Sequence, residues 1–221
     1  MYTKVSEALT FSGISLGEKA VAGLTIYLEE LLRWNQHINL TAIQDPEIAI
    51  EKHIVDSLLI MKYVKGRKKM LDIGSGGGLP GVPLALVAPK MRVVSLDASS
   101  KKINFQRHIR RKLRLDNFQP INQRIEKLAV SKANSYDLIV SRAFSSLEKL
   151  FECSLPFQQK GGLWVAMKGS GGPEEVDRFK QSALTKELIN IQLISYNLPI
   201  SHAKRTLILA EKRTAGERGC N

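Results

Sequence analysis

Several features are scarce in this 221-residue chain, and each absence excludes a class of protein. No apolar run approaches the roughly 18 residues that a membrane span needs, and residues 1–13 lack the pattern of a signal peptide. The only two cysteines, Cys153 and Cys220, lie far apart and predict neither a disulfide framework nor a metal site. We therefore expect a soluble cytoplasmic protein without a metal centre.

Acidic residues are also in the minority. The chain has 33 lysines and arginines against 21 aspartates and glutamates, which gives a net charge of +12 and a sequence pI near 9.8. This excess favours a polyanionic partner, above all nucleic acid, although a solvated basic surface without a dedicated partner would give the same count. The positions of the charges have to distinguish these possibilities.

Residues 1–65 have the periodicity of helices. Ser15 and Glu18 have capping-box spacing and predict the start of an amphipathic helix. Asp45 as N-cap and Pro46 at the first helical position predict a second one. We expect this part to be a helical extension packed on the rest of the protein.

Residues 66–213 change to short apolar runs separated by helix-length segments, which is typical of βαβ units. Seven strands are predicted, at residues 69–73, 92–97, 118–122, 136–141, 162–167, 191–197 and 205–211. The last two are too close for a crossover helix and should be antiparallel. The predicted fold class is therefore α/β, a doubly wound, mostly parallel Rossmann-like sheet. Residues 214–221 lack periodicity and are expected to be a disordered tail.

The strongest local signal is the sequence LDIGSGGGLPG, from Leu71 to Gly81, where the first strand meets its helix. Glycines such as Gly74 and Gly76 allow a sharp turn and the close approach of a ligand, and the helix start offers free amides. A tight βα turn without a ligand is the plainer alternative. The segment favours a nucleoside cofactor site.

Two carboxylates distinguish between possible cofactors. Asp97 ends the second predicted strand, where it can accept hydrogen bonds from both ribose hydroxyls of an adenosine, although it could instead cap a helix. Asp72 directly precedes the glycines, where it would repel a pyrophosphate but suit the cationic methionyl part of S-adenosylmethionine. Together they favour an S-adenosylmethionine-dependent methyltransferase over an NAD-dependent oxidoreductase.

Further candidates follow the third and fourth strands. Ile125 would lie against an adenine face, and Glu126 would read its edge or, alternatively, only favour a helix start. Arg142 is placed to hold an anion, either a cofactor carboxylate or an RNA phosphate, unless it pairs with a surface carboxylate. The same loop lacks the cysteine nucleophile that methylation of a pyrimidine carbon needs, and it lacks the Asn/Asp-Pro-Pro-aromatic run common in amine methyltransferases. The remaining simple methyl acceptor is an atom with an available lone pair, such as a ring nitrogen without a proton.

Basic residues cluster at three places and predict phosphate contacts. The candidates for RNA binding are Lys68 ahead of the first strand, Arg107, Arg110, Arg111 and Arg114 on one face of the helix after the second strand, and Lys204 and Arg205 in the final turn. A solvated face is the usual alternative for such charges. An RNA-binding or ribosome-assembly module with a vestigial cofactor site would also carry them.

Five segments together resemble the ribosomal RNA small subunit methyltransferase G family, also called glucose-inhibited division protein B. They are LLRWNQHINLTAI, KHIVDSL, LDIGSGGGLPGVPLAL, YDLIVSRAFSSL and GGLWVAMKG, in the family's order, and they cover most of Leu31 to Gly169. The resemblance implies a class I methyltransferase fold, S-adenosylmethionine as cofactor and methylation of guanine N7 in bacterial 16S rRNA. It also implies 16S rRNA or the small ribosomal subunit as partner, and we expect a monomer.

The resemblance places the family's cofactor contacts on Gly74, Leu79, Ile125, Glu126 and Arg142. Leu79 is the one that the residues alone do not indicate, and its plain alternative is a helix residue packed on the sheet. Because guanine N7 carries a lone pair and no proton, the implied reaction needs positioning rather than a general base.

His53 and Asp56 lie three residues apart on the second predicted helix, in one of the segments that carry the resemblance. The sequence does not assign them a role: they could form a hydrogen-bonded pair that fixes the extension against the sheet, which we favour, or they could contact the substrate.

Overall fold

The structure is a computed structural model that describes residues 1–128, 133–142 and 144–213. The predicted disordered tail, residues 214–221, and Cys220 within it lie outside the described residues. No helix in the described part of the chain is long and apolar enough to cross a membrane.

Seven strands of the described residues form one sheet. They are β1 (Lys69–Ile73), β2 (Arg92–Asp97), β3 (Phe118–Asn122), β4 (Tyr136–Ser141), β5 (Gln158–Lys168), β6 (Leu188–Asn197) and β7 (Lys204–Lys212). Their order is β3-β2-β1-β4-β5-β7-β6, with β1 to β5 parallel and β7 antiparallel to both of its neighbours. The predicted fold class and the antiparallel final hairpin are confirmed.

The first four strands have the predicted bounds, whereas the last three extend further. The largest difference is in β5, which begins at Gln158 rather than at Gly162. Gly161 lies inside this strand with φ +66°. Glycine weakens the strand pattern of a sequence, so the residues ahead of the glycine pair gave no strand signal.

The helices cover both faces of the sheet. They are α1 (Tyr2–Phe11), α2 (Glu18–Asn35), α3 (Pro46–Ala49), α4 (Asp56–Leu58), α5 (Met61–Val64), α6 (Gly81–Val87), α7 (Ser100–Lys112), α8 (Leu147–Ser154) and α9 (Gly172–Phe179). A π-helical turn at Ile50–Val55 joins α3 to α4, and 3-10 turns lie at Ile125–Lys127 and Ala183–Glu187.

Of the two helix starts predicted in the extension, one is confirmed and the other is not. The Asp45 side chain caps α3 by accepting the amides of Glu47 and Ile48 at 2.8 and 2.9 Å, with Pro46 in the first turn, as predicted. The predicted capping box of Ser15 and Glu18 does not form. Gly17 is the N-cap of α2, so Ser15 lies two residues too early to reach the helix amides.

Two hydrophobic clusters lie on the two faces of the sheet. Leu138 and Val140 of β4 join a cluster that includes the apolar faces of the N-terminal helices, whereas Ile139 between them joins the other cluster. This alternation is the period of two that a strand imposes. The helical extension therefore covers one face of the sheet together with α6 and α7, against which it packs.

The extension is also bonded to the last two strands and the turn between them. Glu51, on the π-helical turn, is buried and accepts the backbone amides of Ile200 and Ser201 at 2.6 and 2.9 Å. Asp56 accepts the Tyr196 hydroxyl at 3.0 Å and Arg205 Nε at 3.3 Å. The predicted His53–Asp56 hydrogen bond is wrong, because the wider π-helical turn alters the angular spacing and each side chain has other partners.

A buried carboxylate links α2 to α7. The side chain of Glu30 is only 8% exposed and meets Arg33 at 2.5 Å, Lys112 at 2.6 Å and His108 at 2.7 Å. Burial alone would raise the pKa of Glu30, but hydrogen bonds from these partners lower it to about 2. The ionised form is therefore the one that holds the two helices together.

We expect Glu30→Gln to lower the free energy of unfolding by about 1–3 kcal/mol at pH 7, because charge-assisted hydrogen bonds contribute on this order. The carboxylate has a depressed native pKa, so its contribution is complete above its unfolded pKa of about 4.3 and is lost as the pH falls towards 2. Urea unfolding at pH 7 and pH 3 measures both effects. Glu29→Gln, at the exposed neighbouring position, is the matched control, and equal stabilities of the two variants would contradict the assignment.

Candidate functional site

The carboxyl ends of β1 and β4 form the switch point of the sheet. From β1 the chain runs outward through β2 to β3 and then returns to β4 on the other side of β1. The loops therefore diverge at this place and leave a crevice, which is where ligands bind in open α/β sheets. Gly74, Asp97, Ile125 and Arg142 all follow or end strands at this edge.

A cavity of about 250 Å³ lies beside the switch point. Its lining comprises Ile73, Gly74, Leu96, Asp97, Ala98, Gln123, Arg124, Ile125, Glu126 and Phe144. Four of the predicted cofactor residues, Gly74, Asp97, Ile125 and Glu126, thus meet in one cavity. Phe144 is an addition that the sequence reasoning missed, although an aromatic residue two positions after Arg142 was a usable signal.

The glycine-rich loop lies over the ends of β1 and β2. Gly74 and Gly76 have φ values of +69° and +57°, a conformation that other residues adopt only with strain. The Gly74 amide donates to the Leu96 carbonyl at 2.9 Å, which anchors the loop to β2. Gly74 faces Phe144: a Cβ atom at position 74 would lie 3.7 Å from Cδ2 of the Phe144 ring.

The side chain of Gln106 on α7 forms hydrogen bonds with the glycine-rich loop. Its buried amide nitrogen donates to the Gly76 carbonyl at 2.7 Å and to Ser75 Oγ at 2.8 Å, and its oxygen accepts from Ser95 Oγ at 2.8 Å. This residue was also missed. Its signal is a polar side chain on the buried face of α7, beside Phe105 and Ile109.

Asp97 is tied to the loop through its carboxylate. One oxygen accepts the Gly76 amide at 2.8 Å, and the other accepts the Ser99 amide at 2.8 Å. Ser99 itself is the N-cap residue of α7. Each carboxylate oxygen has a second lone pair, so Asp97 keeps acceptor capacity towards the cavity that it lines.

Asp72 lies beneath the loop and is fully buried. One of its oxygens accepts the Gly81 amide at 2.9 Å, while the other has no hydrogen-bond partner. Burial raises the pKa of Asp72 to about 7, although the Gly81 bond and the charge of Arg142 oppose the increase. The amide at the start of α6 is thus already engaged, and Leu79 beside it is buried in the core.

Arg142 contacts the helical extension and does not line the cavity. Its guanidinium donates to the Lys52 carbonyl at 2.9 Å and to His53 Nδ1 at 3.2 Å. Since arginine only donates, Nδ1 of His53 accepts, and Nε2 carries the proton towards Thr41 Oγ1 at 2.8 Å. Burial and the charge of Arg142 lower the pKa of His53 to about 3, so the imidazole is neutral.

The basic candidates lie along α7 and at the two opposite edges of the sheet. Arg107, Arg110 and Arg111 are exposed on α7, as predicted. Arg114 was predicted on the same helix but lies beyond it, because α7 ends at Lys112 and Arg114 turns the chain with φ +50°. Lys68 is exposed at the amino end of β1, far from the glycine loop at its other end. Lys204 and Arg205 begin β7 next to the end of β5, on the edge that holds the cavity, where Lys204 is exposed and Arg205 pairs with Asp56.

The sheet order, the glycine-rich loop at the switch point and the carboxylate ending β2 define a class I methyltransferase fold. Solved structures share it: cofactor-bound Rv0187 from MTB has a TM-score of 0.63 at 14% identity, covering 88% of this chain and 91% of that one. A SAM-dependent methyltransferase from Aquifex aeolicus has a TM-score of 0.55 at 18% identity, covering 76% and 94%.

The chain belongs to the rRNA small subunit methyltransferase G family, whose model matches residues 20–207. The ribosomal RNA small subunit methyltransferase G of Syntrophotalea carbinolica is 37% identical, with 96% of this chain and 99% of the relative covered. The enzyme of the same name from Geobacter sulfurreducens is 43% identical, covering 89% and 90%. The resemblance seen in the sequence motifs is confirmed.

The raised pKa of Asp72 predicts a pH dependence of stability. In the unfolded chain this group would titrate near 3.9, so between about pH 4 and pH 7 the native state binds more protons than the unfolded state. Stability should therefore fall as the pH rises through this interval. Asp72→Asn removes the titrating group and should flatten the decline, as measured by urea unfolding between pH 5 and pH 8.

The matched control for this measurement is Asp177→Asn, which removes an exposed carboxylate whose partner is Lys180. It should keep the wild-type slope. A slope that is the same in the wild type and in Asp72→Asn would show that Asp72 is ionised throughout.

Proposed function

We propose that this protein uses S-adenosylmethionine to methylate N7 of a guanine in 16S rRNA. The observation that carries the proposal is the cavity at the switch point, in which Gly74, Asp97, Ile125 and Glu126 come together in a member of a small-subunit rRNA methyltransferase family. The names of the relatives give the small-subunit rRNA but not the base or the atom.

The residues of the cavity fit an adenosine. Ile125 provides a buried apolar wall for a ring face, and Asp97 provides a half-buried carboxylate for ribose hydroxyls. Gly74 leaves backbone exposed where a side chain would narrow the space towards Phe144. Glu126 lines the cavity and is exposed, and we assign it the recognition of the adenine edge.

The oxygen of Asp72 that has no hydrogen-bond partner suits the positive charge of S-adenosylmethionine. A buried acceptor without a donor is unfavourable, and a positive group nearby would stabilise its ionised form. Asp72 and Arg142 interact electrostatically, so both contribute to the charge balance beside the loop. Arg142 is oriented by Lys52 and His53, and we assign it the role of holding a carboxylate or phosphate at this edge.

Catalysis by this chain is then a matter of positioning. When bound, S-adenosylmethionine supplies a methyl group on a cationic sulfur, which a lone pair such as that of guanine N7 accepts without losing a proton. The residues at the switch point have to hold and orient the two reactants and to exclude water. Lys204, exposed at the same edge, would contact phosphates next to the target base.

The proposal is tested by incubating the protein with methyl-labelled S-adenosylmethionine and small ribosomal subunits from cells that lack the enzyme. Nucleoside analysis of the rRNA should show label on guanine N7. Label on protein, or on another base, would overturn the specific assignment.

Equilibrium dialysis against S-adenosylmethionine and NAD tests which of the two cofactors the protein binds. Preferential retention of NAD would point to an oxidoreductase.

Asp97→Asn should weaken the binding of S-adenosylmethionine by about tenfold to a hundredfold, because a hydrogen bond to a charged acceptor contributes about 1.5–3 kcal/mol. Titration calorimetry measures the affinity. Asp177→Asn, far from the cavity, controls for the loss of a negative charge. Unchanged affinity in Asp97→Asn would refute the ribose assignment and leave Asp97 as a brace for the loop.

A further inference from the structure

The amino edge of the sheet carries a groove on the side opposite the cofactor cavity. One part, of about 750 Å³, lies between α5 and the end of α6, and a second part, of about 570 Å³, continues beside β2 and β3. Pro89 and Lys90 line both parts. The five residues of β1, at about 3.3 Å each, separate this groove from the glycine loop by roughly 16 Å.

The charge of this amino-edge groove is strongly one-sided. Its basic lining residues are Lys62, Lys65, Arg67, Lys68, Lys69, Lys90, Arg92 and Arg110, and its single acidic one is Asp116. Within the described part of the chain, Lys62, Lys65, Lys68 and Lys90 form no ion pair with a carboxylate. Each of these four side chains is exposed, so the groove presents its positive charge to solvent.

A buried carboxylate beside the groove bonds the main chain and forms no ion pair with these lysines. Asp137 accepts the backbone amides of Lys68 and Lys69 at 2.6 and 2.8 Å, so its oxygens hold the main chain. Between α2 and α7, by contrast, Arg33 and Lys112 pair directly with the carboxylate of Glu30. A row of cations left without carboxylates raises the local potential and favours a polyanion.

The floor of the first part is apolar. Met61, Val64, Val87 and Met91 lie beneath the basic rim. This combination suits a sugar–phosphate chain, because lysines contact the phosphates while the apolar floor accepts ribose or a base face. A small inorganic anion would use the rim and leave the floor exposed to water.

We propose that the amino-edge groove binds the phosphate backbone of a second segment of the rRNA, remote from the nucleotide that is methylated. The inference rests on the proposed function for its RNA and adds a separate contact surface. Since the groove and the cofactor cavity lie at opposite ends of β1, one short stretch of RNA at the cavity does not fill the groove. The groove then contributes to affinity and register rather than to the chemical step.

The test compares two triple variants that remove the same charge. Lys62→Gln, Lys65→Gln and Lys90→Gln alter the groove, whereas Lys19→Gln, Lys160→Gln and Lys186→Gln alter exposed lysines elsewhere. Binding to deproteinised 16S rRNA is measured across a range of salt concentrations. Each lost phosphate contact should reduce the slope of log affinity against log salt by about 0.7–0.9, so the groove variant should lose about 2–3 and bind about tenfold or more weakly at 0.1 M salt.

The control variant should keep the wild-type slope, and both variants should keep the affinity for S-adenosylmethionine. In methylation of small subunits, the groove variant should show a raised KM for the particle with little change in kcat. Equal slopes for the two variants would overturn the groove proposal while leaving the proposed function intact. A difference seen with particles but not with free rRNA would identify a ribosomal protein as the partner and also overturn it. Absence of methylation by the wild type would instead refute the proposed function.

Discussion

The conformation of the glycine-rich loop is the constraint on which the rest of the site depends. Glycine adopts positive and negative φ about equally well, so the loop has to be fixed in its conformation by side chains from outside it. Gln106 holds Gly76 from α7, the Tyr27 hydroxyl holds the Gly77 carbonyl at 2.9 Å from α2, and Asp72 holds the Gly81 amide. Three separate elements thus converge on one short segment.

The N-terminal helices and the glycine-rich loop are consequently coupled mechanically. Tyr27 belongs to the extension, and a side chain at Gly77 would lie 2.7 Å from Leu31 of the same helix. The π-helical turn orients Arg142 through Lys52 and His53. A change in the packing of the extension would therefore reach the loop and Arg142 without any substitution in either.

The sequence predicted the parts of the structure that follow from local periodicity. The bounds of the first four strands, the cap at Asp45 and the four residues of the cavity arise from short patterns that the chain carries in order. The π-helical turn, the clasp of Gln106 and the placement of Lys68 at the far edge arise from contacts between distant segments. The spacing of residues along the chain does not predict the hydrogen bonds between Glu51 and Ile200 or between Arg142 and His53. The capping box failed for a local reason, because α2 begins at Glu18 and its N-cap is therefore Gly17 rather than Ser15.

The bonds between the extension and the final hairpin have a consequence for the order in which the protein can be completed. Glu51 and Asp56 emerge early in synthesis, but their partners, Ile200, Ser201, Tyr196 and Arg205, are separated from them by most of the chain. Until β6 and β7 exist, these two carboxylates lack the partners that they have in the complete fold. The N-terminal helices can form first, yet they gain their native anchors last, and such long-range contacts slow folding. A nascent chain released before the final hairpin would leave the π-helical turn, and with it Arg142, without support from the end of the chain.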